Sequence, residues 1–115
     1  MVSGNAMNTK ETAFLQVLGD YSFDEKTVRI HPNDGFDLGV MTTDIVVQIY
    51  AGESLDELDS PDTKFVYGTL YLENNTTMGT CELALKTVQK LGSPKKVRLH
   101  LVENEEYPKL LIAPL

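Results

Sequence analysis

The sequence predicts one α+β domain, in which a mainly antiparallel β-sheet or a small barrel carries one amphipathic helix at about residues 80–91. Short apolar runs with the two-residue period of strands surround a single segment with a helical period. One helix cannot supply the crossovers that parallel strands need, so antiparallel pairing is expected. The chain has 115 residues, 42% of them apolar, which is enough for a buried core.

The N-terminus shows no structural periodicity. Residues 1–10 are small and polar, so we interpret them as a flexible tail or a vector-derived remnant, and residues 11–115 as the domain. The first part of the chain lacks the apolar core of a secretory signal, and no run approaches the roughly 18 apolar residues of a membrane helix. The sequence therefore predicts a cytoplasmic protein with no membrane association.

Four strands are predicted before the helix, each ended by turn-forming residues. They span residues 13–18, 27–30, 42–51 and 64–73. Pro32 ends the second strand because proline has no backbone N–H for the ladder. The triplet Asn33-Asp34-Gly35 that follows predicts a hairpin or a bulged corner. Residues 52–62 are too charged for the core and predict a solvated loop.

The helix is predicted from one apolar stripe. Its members recur at helical spacing: Cys81, Ala84, Leu85, Val88 and Leu91. Thr80 is the expected N-cap, and Gly92 stands where a left-handed C-terminal residue belongs. Strands at 96–102 and 109–113 complete the order β-β-β-β-α-β-β. From residue 42 onward this order is similar to that of an oligonucleotide-binding (OB) barrel, although no sequence motif accompanies the similarity.

Charge is distributed unevenly. The 17 acidic and 10 basic residues give a net charge of -7, and the first 62 residues hold 12 of the acids but only 3 of the bases. Acidic side chains gather between the third and fourth strands: Glu53, Asp56, Glu57, Asp59 and Asp62. A calcium loop of the EF-hand type does not fit because Pro61 interrupts the required pattern. Two interpretations remain, a solvated loop or a surface that attracts a basic protein.

A second group of residues predicts the opposite kind of partner. Aromatic and basic side chains that could hold single-stranded nucleic acid or a small anion are Phe65, Tyr67, Tyr71, Lys95, Lys96 and Arg98. The cations near the helix C-terminus also have a purely structural explanation, since they offset the helix dipole. The net charge of -7 opposes binding to a polyanion.

No catalytic constellation is visible. Cys81 belongs to the apolar stripe and is expected to be buried and inert, and a single cysteine supplies no zinc pattern. His31 and His100 have no carboxylate or serine partner nearby in the sequence. We therefore expect no enzyme activity, no cofactor and no metal site.

These observations favour a small acidic interaction or accessory protein that binds another protein without catalysis. The alternative is an OB-like binder of single-stranded nucleic acid or a small anion. The short apolar run at 109–115 ends in Pro114-Leu115, which is typical of an edge strand and predicts that any homodimer would form there.

Overall fold

The computed structural model describes residues 9–52 and 54–115. Eight strands, two α-helices and one 3₁₀ helix follow one another along these residues. They are β1 (Thr9–Glu11), β2 (Leu15–Asp20), β3 (Thr27–Ile30), α1 (Pro32–Phe36), β4 (Asp44–Ala51), the 3₁₀ helix (Leu55–Asp59), β5 (Val66–Leu72), β6 (Thr80–Ala84), α2 (Leu85–Lys90), β7 (Lys96–Val102) and β8 (Lys109–Pro114). No helix in the described ranges is long and apolar enough to cross a membrane.

Seven of the strands close into a small barrel. Around the barrel the order is β7-β2-β6-β3-β5-β4-β8, and β8 returns to pair with β7. Strand β1 is additional and pairs with the same edge of β7 that β2 uses. Five of the eight pairings are antiparallel and three are parallel. The small barrel that the sequence offered as one of two forms is therefore the correct one, and its pairing is mainly antiparallel.

Six of the barrel strands form two β-β-α-β units related by an approximate two-fold axis. A shift of 53 residues turns the parallel pair Val17–Cys81 of β2 and β6 into the parallel pair Leu70–Val28 of β5 and β3. The same shift carries α1, which begins at residue 32, onto α2, which begins at residue 85. Strand β8 has no counterpart and closes the barrel between β4 and β7.

Two glycines mark the equivalent ends of the helical segments. Gly39 and Gly92 lie 53 residues apart and have φ angles of 75° and 85°. Only glycine adopts this left-handed backbone without strain, so both positions suit the turn from helix to strand. Gly92 thus has the conformation that the sequence predicts for it.

The core fills the barrel interior. Apolar side chains that alternate along the strands meet there, and the fully buried ones are Val28, Ile30, Val47, Leu70, Cys81, Leu83, Val97, Leu99, Leu110 and Ile112. A second, smaller cluster lies outside the barrel wall and consists of Tyr50, Leu58, Leu111 and Ala113. The 3₁₀ helix contributes Leu58 to that cluster, so this loop packs on the outer surface of β4 and β8.

The helix predicted at 80–91 is wrong in its first half. Residues 80–84 form β6, which pairs with β2 and β3, and α2 begins only at Leu85, with Ala84 rather than Thr80 at its N-cap. Cys81 and Leu83 are buried while Glu82 between them is half-exposed, so this segment alternates like a strand. The helical stripe includes Cys81 and Ala84 by coincidence, because a short segment can satisfy both periods.

The turn predicted at Asn33-Asp34-Gly35 is also wrong, since these residues lie in α1. The Nδ1 atom of His31 accepts a hydrogen bond from the N–H of Asn33 at 3.0 Å and caps this helix. Pro32 follows at the first helical turn, where its missing N–H costs nothing. Histidine is not among the usual capping residues, so the sequence gave little warning of a helix here.

Two further predictions need correction. The barrel has seven strands and three parallel pairings, so it is not the five-stranded OB arrangement that the element order suggested. The run at 109–115 is not an edge, because β8 pairs with β4 on one side and β7 on the other. Its buried residues include Leu111, so the predicted homodimer interface has no free edge there.

The N-terminal segment divides at residue 9. Residues 1–8 of the predicted tail lie outside the described residues, whereas Thr9 and Lys10 belong to β1. The strand is joined to β2 through Thr12, a buried residue whose N–H donates to the carbonyl of Leu99 at 3.0 Å. Thr12 Oγ1 accepts from the N–H of Leu99 at 3.2 Å, so both backbone groups of Leu99 are satisfied at the bend.

Candidate functional site

A row of aromatic side chains lies on the outer surface of the barrel beside β4 and β5. We call Tyr50, Phe65, Tyr67 and Tyr107 the aromatic strip. Successive ring centroids are 5.2, 5.2 and 5.7 Å apart, and the last two contacts are edge-to-face. Tyr50 is buried, but Phe65, Tyr67 and Tyr107 are 38%, 49% and 42% exposed. Three adjacent rings are therefore open to a partner.

Strand alternation explains why these rings share one surface. Val47 and Ile49 of β4 point into the barrel, so Gln48 and Tyr50 point outward. Tyr67 pairs with Gln48 across β4 and β5, which brings it to the same outer face. Tyr107 immediately precedes Pro108 at the start of β8, the other neighbour of β4. The strip thus depends on long-range pairing.

Hydrogen bonds hold the base of the strip. Gln48 Nε2 donates to the hydroxyl of Tyr67, and the hydroxyl of Tyr50 donates to Gln48 Oε1, both at 3.4 Å. Burial, and to a lesser extent the neighbouring Tyr67, raise the pKa of Tyr50 above its ordinary value. Tyr50 therefore stays neutral at physiological pH and serves as the floor on which Phe65 packs.

The acidic segment lies next to the aromatic strip. Ser54 and Glu57 form a capping box at the start of the 3₁₀ helix, and Glu57 Oε1 accepts from the N–H of Ser54 at 3.1 Å. Leu58 packs in the outer cluster with Tyr50, and Lys109 Nζ donates to the Leu58 carbonyl at 2.8 Å. These contacts fix the segment against the barrel.

The structure places four of the five predicted acidic residues. Asp56, Asp59 and Asp62 are exposed, whereas Glu57 is half-buried and serves the capping box. Glu53 lies outside the described residues. Asp62 is three residues before Phe65, and Glu106 directly precedes Tyr107. Acidic loops therefore adjoin both ends of the strip.

The predicted basic residues are not brought to the strip. Lys95, Lys96 and Arg98 lie at the start of β7, and two strands, β4 and β8, separate β7 from β5. Arg98 Nη1 contacts Glu11 Oε2 at 3.1 Å, and its guanidinium lies 4.1 Å from the centre of the Phe14 ring. Of the aromatic residues in that prediction, Phe65 and Tyr67 join the strip.

Tyr71 lies outside the strip. It is half-buried and pairs with Arg29 of β3 and Asp44 of β4, further along the outer face of the barrel. The combination of aromatic and basic side chains expected for a nucleic-acid surface is therefore divided between separate places.

A groove of about 530 Å³ opens beside Phe65 at one end of the barrel. Apolar, hydroxyl and charged residues line it: Glu25, Ile49, Ala51, Glu57, Thr63, Lys64, Phe65, Val66, Thr87 and Lys90. Lys90 Nζ lies 3.6 Å from Glu25 Oε2, which links α2 to the loop before β3 across the groove. Its volume is in the range of ordinary ligand pockets, about 300–1,000 Å³.

The residues with reactive side chains are separated from one another. Cys81 is fully buried in the core, and burial raises the pKa of its thiol far above the ordinary value. His31 caps α1, and His100 lies 3.8 Å from Glu11 on the far side of the barrel. Within the described ranges, no group of three or more His, Cys, Asp or Glu side chains is placed to hold a metal ion.

Comparison with protein families, characterised proteins and solved structures finds no match to this chain. The site is therefore argued from its own geometry. Sequence reasoning did not identify Tyr50 and Tyr107 as members of it. The outward position of Tyr50 could have been found from the alternation along β4, but Tyr107 reaches the strip only because β8 pairs with β4.

Proposed function

We propose that this protein binds another protein without catalysis, and that the aromatic strip is the centre of its interface. The observation that carries the proposal is the line of Phe65, Tyr67 and Tyr107, adjacent rings that each remain 38–49% exposed. Aromatic side chains are enriched at protein interfaces because they bury a large area at a small entropic cost. A contiguous exposed apolar patch on a small domain is typical of an interaction site.

Charge supports a partner with a basic surface around its binding site. Asp56, Asp59 and Asp62 are exposed on one side of the strip, and Glu105 and Glu106 on the other. Each exposed ion pair contributes only about 0.2–1 kcal/mol, so these residues would act mainly by long-range attraction. Aromatic contacts would then supply most of the affinity, and the acidic loops most of the association rate.

The nucleic-acid alternative has weaker support. Its aromatic part is present in Phe65 and Tyr67, but the charged residues nearest the strip in the chain are mainly acidic. Phosphate groups need nearby cations, and Lys95, Lys96 and Arg98 lie on β7 instead. A fluorescence titration with a single-stranded oligothymidylate tests the alternative. Saturable, salt-sensitive binding that is lost in Tyr67→Ala would favour it over a protein partner.

Site-specific photo-cross-linking tests the proposal. A benzoylphenylalanine residue replaces Tyr67 in one variant and Tyr21 in another, and both are illuminated in an extract of the native cell. Tyr21 is the matched control because its side chain is 88% exposed in a loop outside the strip. We expect one discrete adduct with a protein at position 67 and none at position 21. Equal labelling at both positions, or labelling at neither, would contradict the proposal.

The role of the acidic loop is tested separately with the captured partner. Changing Asp56, Asp59 and Asp62 together to Asn removes three charges and leaves the Glu57 capping box intact. Association should slow at low salt to the rate that the unsubstituted protein shows at high salt, while dissociation changes little. If the association rate is unchanged, the acidic segment is solvated surface only.

A further inference from the structure

The edge of β4 that faces β5 is paired over only part of its length. Antiparallel pairing with β5 runs from Asp44 to Ile49 and stops there. On its other edge β4 remains paired with β8 as far as Ala51. Among the residues that the structure describes, none pairs with Tyr50 or Ala51 on the β5 side.

The backbone of Ala51 faces this unpaired side. The N–H of Gln48 donates to the Pro108 carbonyl at 2.9 Å, and the N–H of Gly52 donates to the Ile112 carbonyl at 3.2 Å. Residues 48 and 52 therefore direct their polar backbone groups toward β8. Alternation along a strand directs the N–H and C=O of Ala51 to the opposite side. That side is the groove described above, of which Ala51 is a lining residue.

The related unit shows what occupies the equivalent edge. The approximate two-fold axis relates the Leu15–Val97 pair of β2 and β7 to the Gly68–Val47 pair of β5 and β4. On β7 the pairing continues beyond β2, because β1 pairs with residues 100–102. The same operation relates β1 to residues 62–64 and residues 100–102 to residues 50–52.

Residues 62–64 do not take the place of a strand. They lie outside the strands, and Thr63 and Lys64 line the groove across from Ala51. One of two equivalent barrel edges thus carries a short antiparallel strand, and the other carries a groove of about 530 Å³. A groove beside unpaired backbone groups is the arrangement that accepts an added strand.

We propose that this groove binds an extended segment of the partner protein, which adds as an antiparallel strand beside residues 50–52. The proposal rests on the proposed function and deepens it, since the segment belongs to the protein that the aromatic strip contacts. Phe65 belongs to both the strip and the groove, so the two surfaces are continuous. One partner could therefore occupy both.

The groove also determines which side chain the segment would present. Residues opposite each other in an antiparallel pair point to the same face of the sheet. Ala51 follows Val47 and Ile49 at two-residue spacing on the interior face, so the residue opposite it would point toward Ile49, Val66 and Thr87. Valine or isoleucine suits this floor and favours extended backbone.

A synthetic peptide tests the groove apart from the strip. The probe is acetyl-Lys-Thr-Val-Thr-Lys-amide, titrated into the full ¹⁵N-labelled chain with an unsubstituted aromatic strip. We expect saturable shifts of the Ala51 and Thr63 amides and slower hydrogen exchange at Ala51. The same peptide with an N-methylated valine, which lacks the central donor, should bind about tenfold more weakly.

Variants at Ala51 identify the backbone group involved. Ala51→Pro removes the N–H that faces the groove, and it breaks no β4–β8 hydrogen bond because that N–H points away from β8. It should weaken peptide binding about tenfold, whereas Ala51→Ser, which keeps the N–H, should not. If the proline variant fails to fold, the N-methylated peptide still decides the question.

Two results would overturn the groove proposal. One is equal binding of the two peptides, which would indicate side-chain recognition without strand addition. The other is the absence of saturable shifts at millimolar peptide. Because neither measurement involves Tyr67 or Tyr107, the groove can fail while the cross-linking result at Tyr67 stands, and the reverse also holds.

Discussion

The carboxylate of Asp34 accepts a hydrogen bond from the backbone N–H of Gly79, with 2.8 Å between Oδ2 and N. Asp34 lies in α1 of the first unit, and Gly79 lies 45 residues later in the turn before β6 of the second. Gly79 has a φ angle of 81°, a conformation that favours glycine. The bond therefore fixes a tight turn in one unit with a side chain from the other.

Replacing Asp34 should destabilise the fold without touching the core. Asp34→Ala removes a hydrogen bond to a charged, partly exposed group, so we expect the free energy of unfolding to fall by about 1–2 kcal/mol. Urea denaturation measures it. Asp37→Ala, an exposed acid at the end of the same helix, is the control and should cost less than about 0.5 kcal/mol. Equal losses in the two variants would mean that the Gly79 contact contributes nothing.

Two leucines separated by one residue should respond very differently to truncation. Leu83 in β6 is fully buried, so Leu83→Ala should lower the free energy of unfolding by about 2–5 kcal/mol. Leu85 at the start of α2 is 39% exposed, so Leu85→Ala should cost only about 1 kcal/mol. Chemical denaturation of the two variants provides the comparison. A larger loss at Leu85 would instead support a helix through residues 80–84.

Cys81 should not react while the chain is folded. Its side chain is buried in the barrel core, and burial raises the pKa of the thiol, so thiolate is scarce and inaccessible. A thiol reagent such as dithionitrobenzoate should label the unfolded chain at once and the native chain only at its unfolding rate. Fast stoichiometric labelling in native buffer would show that the thiol is reachable.

His100 should make the fold less stable in mild acid. Burial lowers its pKa below the ordinary value of 6.5, and Arg98 adds to this effect while Glu11 opposes it. The unfolded chain therefore binds a proton at a higher pH than the folded chain, so stability falls as pH decreases below about 6.5. The loss is complete once pH is below the folded pKa.

Urea denaturation between pH 7.5 and about pH 5 checks this expectation. His100→Gln should remove most of the decline, because the substituted side chain does not titrate. The window lies above the ordinary carboxyl range, so acids such as Asp20, whose pKa the Ser22 hydroxyl lowers, contribute at lower pH. An identical slope in the variant would assign the decline to another group.

Local patterns were sufficient for strands with clear boundaries. The predicted strands at Thr27–Ile30 and Lys96–Val102 agree with β3 and β7 at both ends, because proline or charged loops adjoin them. Patterns failed where two periods overlap. Residues 80–84 satisfy a helical stripe and a strand alternation at once, and only pairing with β2 and β3 decides between them.

The candidate site was less predictable than the fold. Phe65 and Tyr67 were identified from their alternation, but the sequence associated them with Lys96 and Arg98, which lie on another part of the barrel. Strand order around a closed barrel is a long-range property, and nothing in the local sequence states that β4 and β8 separate β5 from β7. The groove likewise depends on where pairing stops, which the sequence does not show.

The position of β8 has a consequence for how the chain folds. It is the last strand along the chain, yet it alone joins β4 to β7 and closes the cylinder. A nascent chain that has not yet emerged beyond residue 108 must therefore keep two strand edges unsealed, and such edges promote aggregation. Productive folding waits for the final residues to be synthesised, and the separation of the paired segments along the chain predicts a slow approach to the native state.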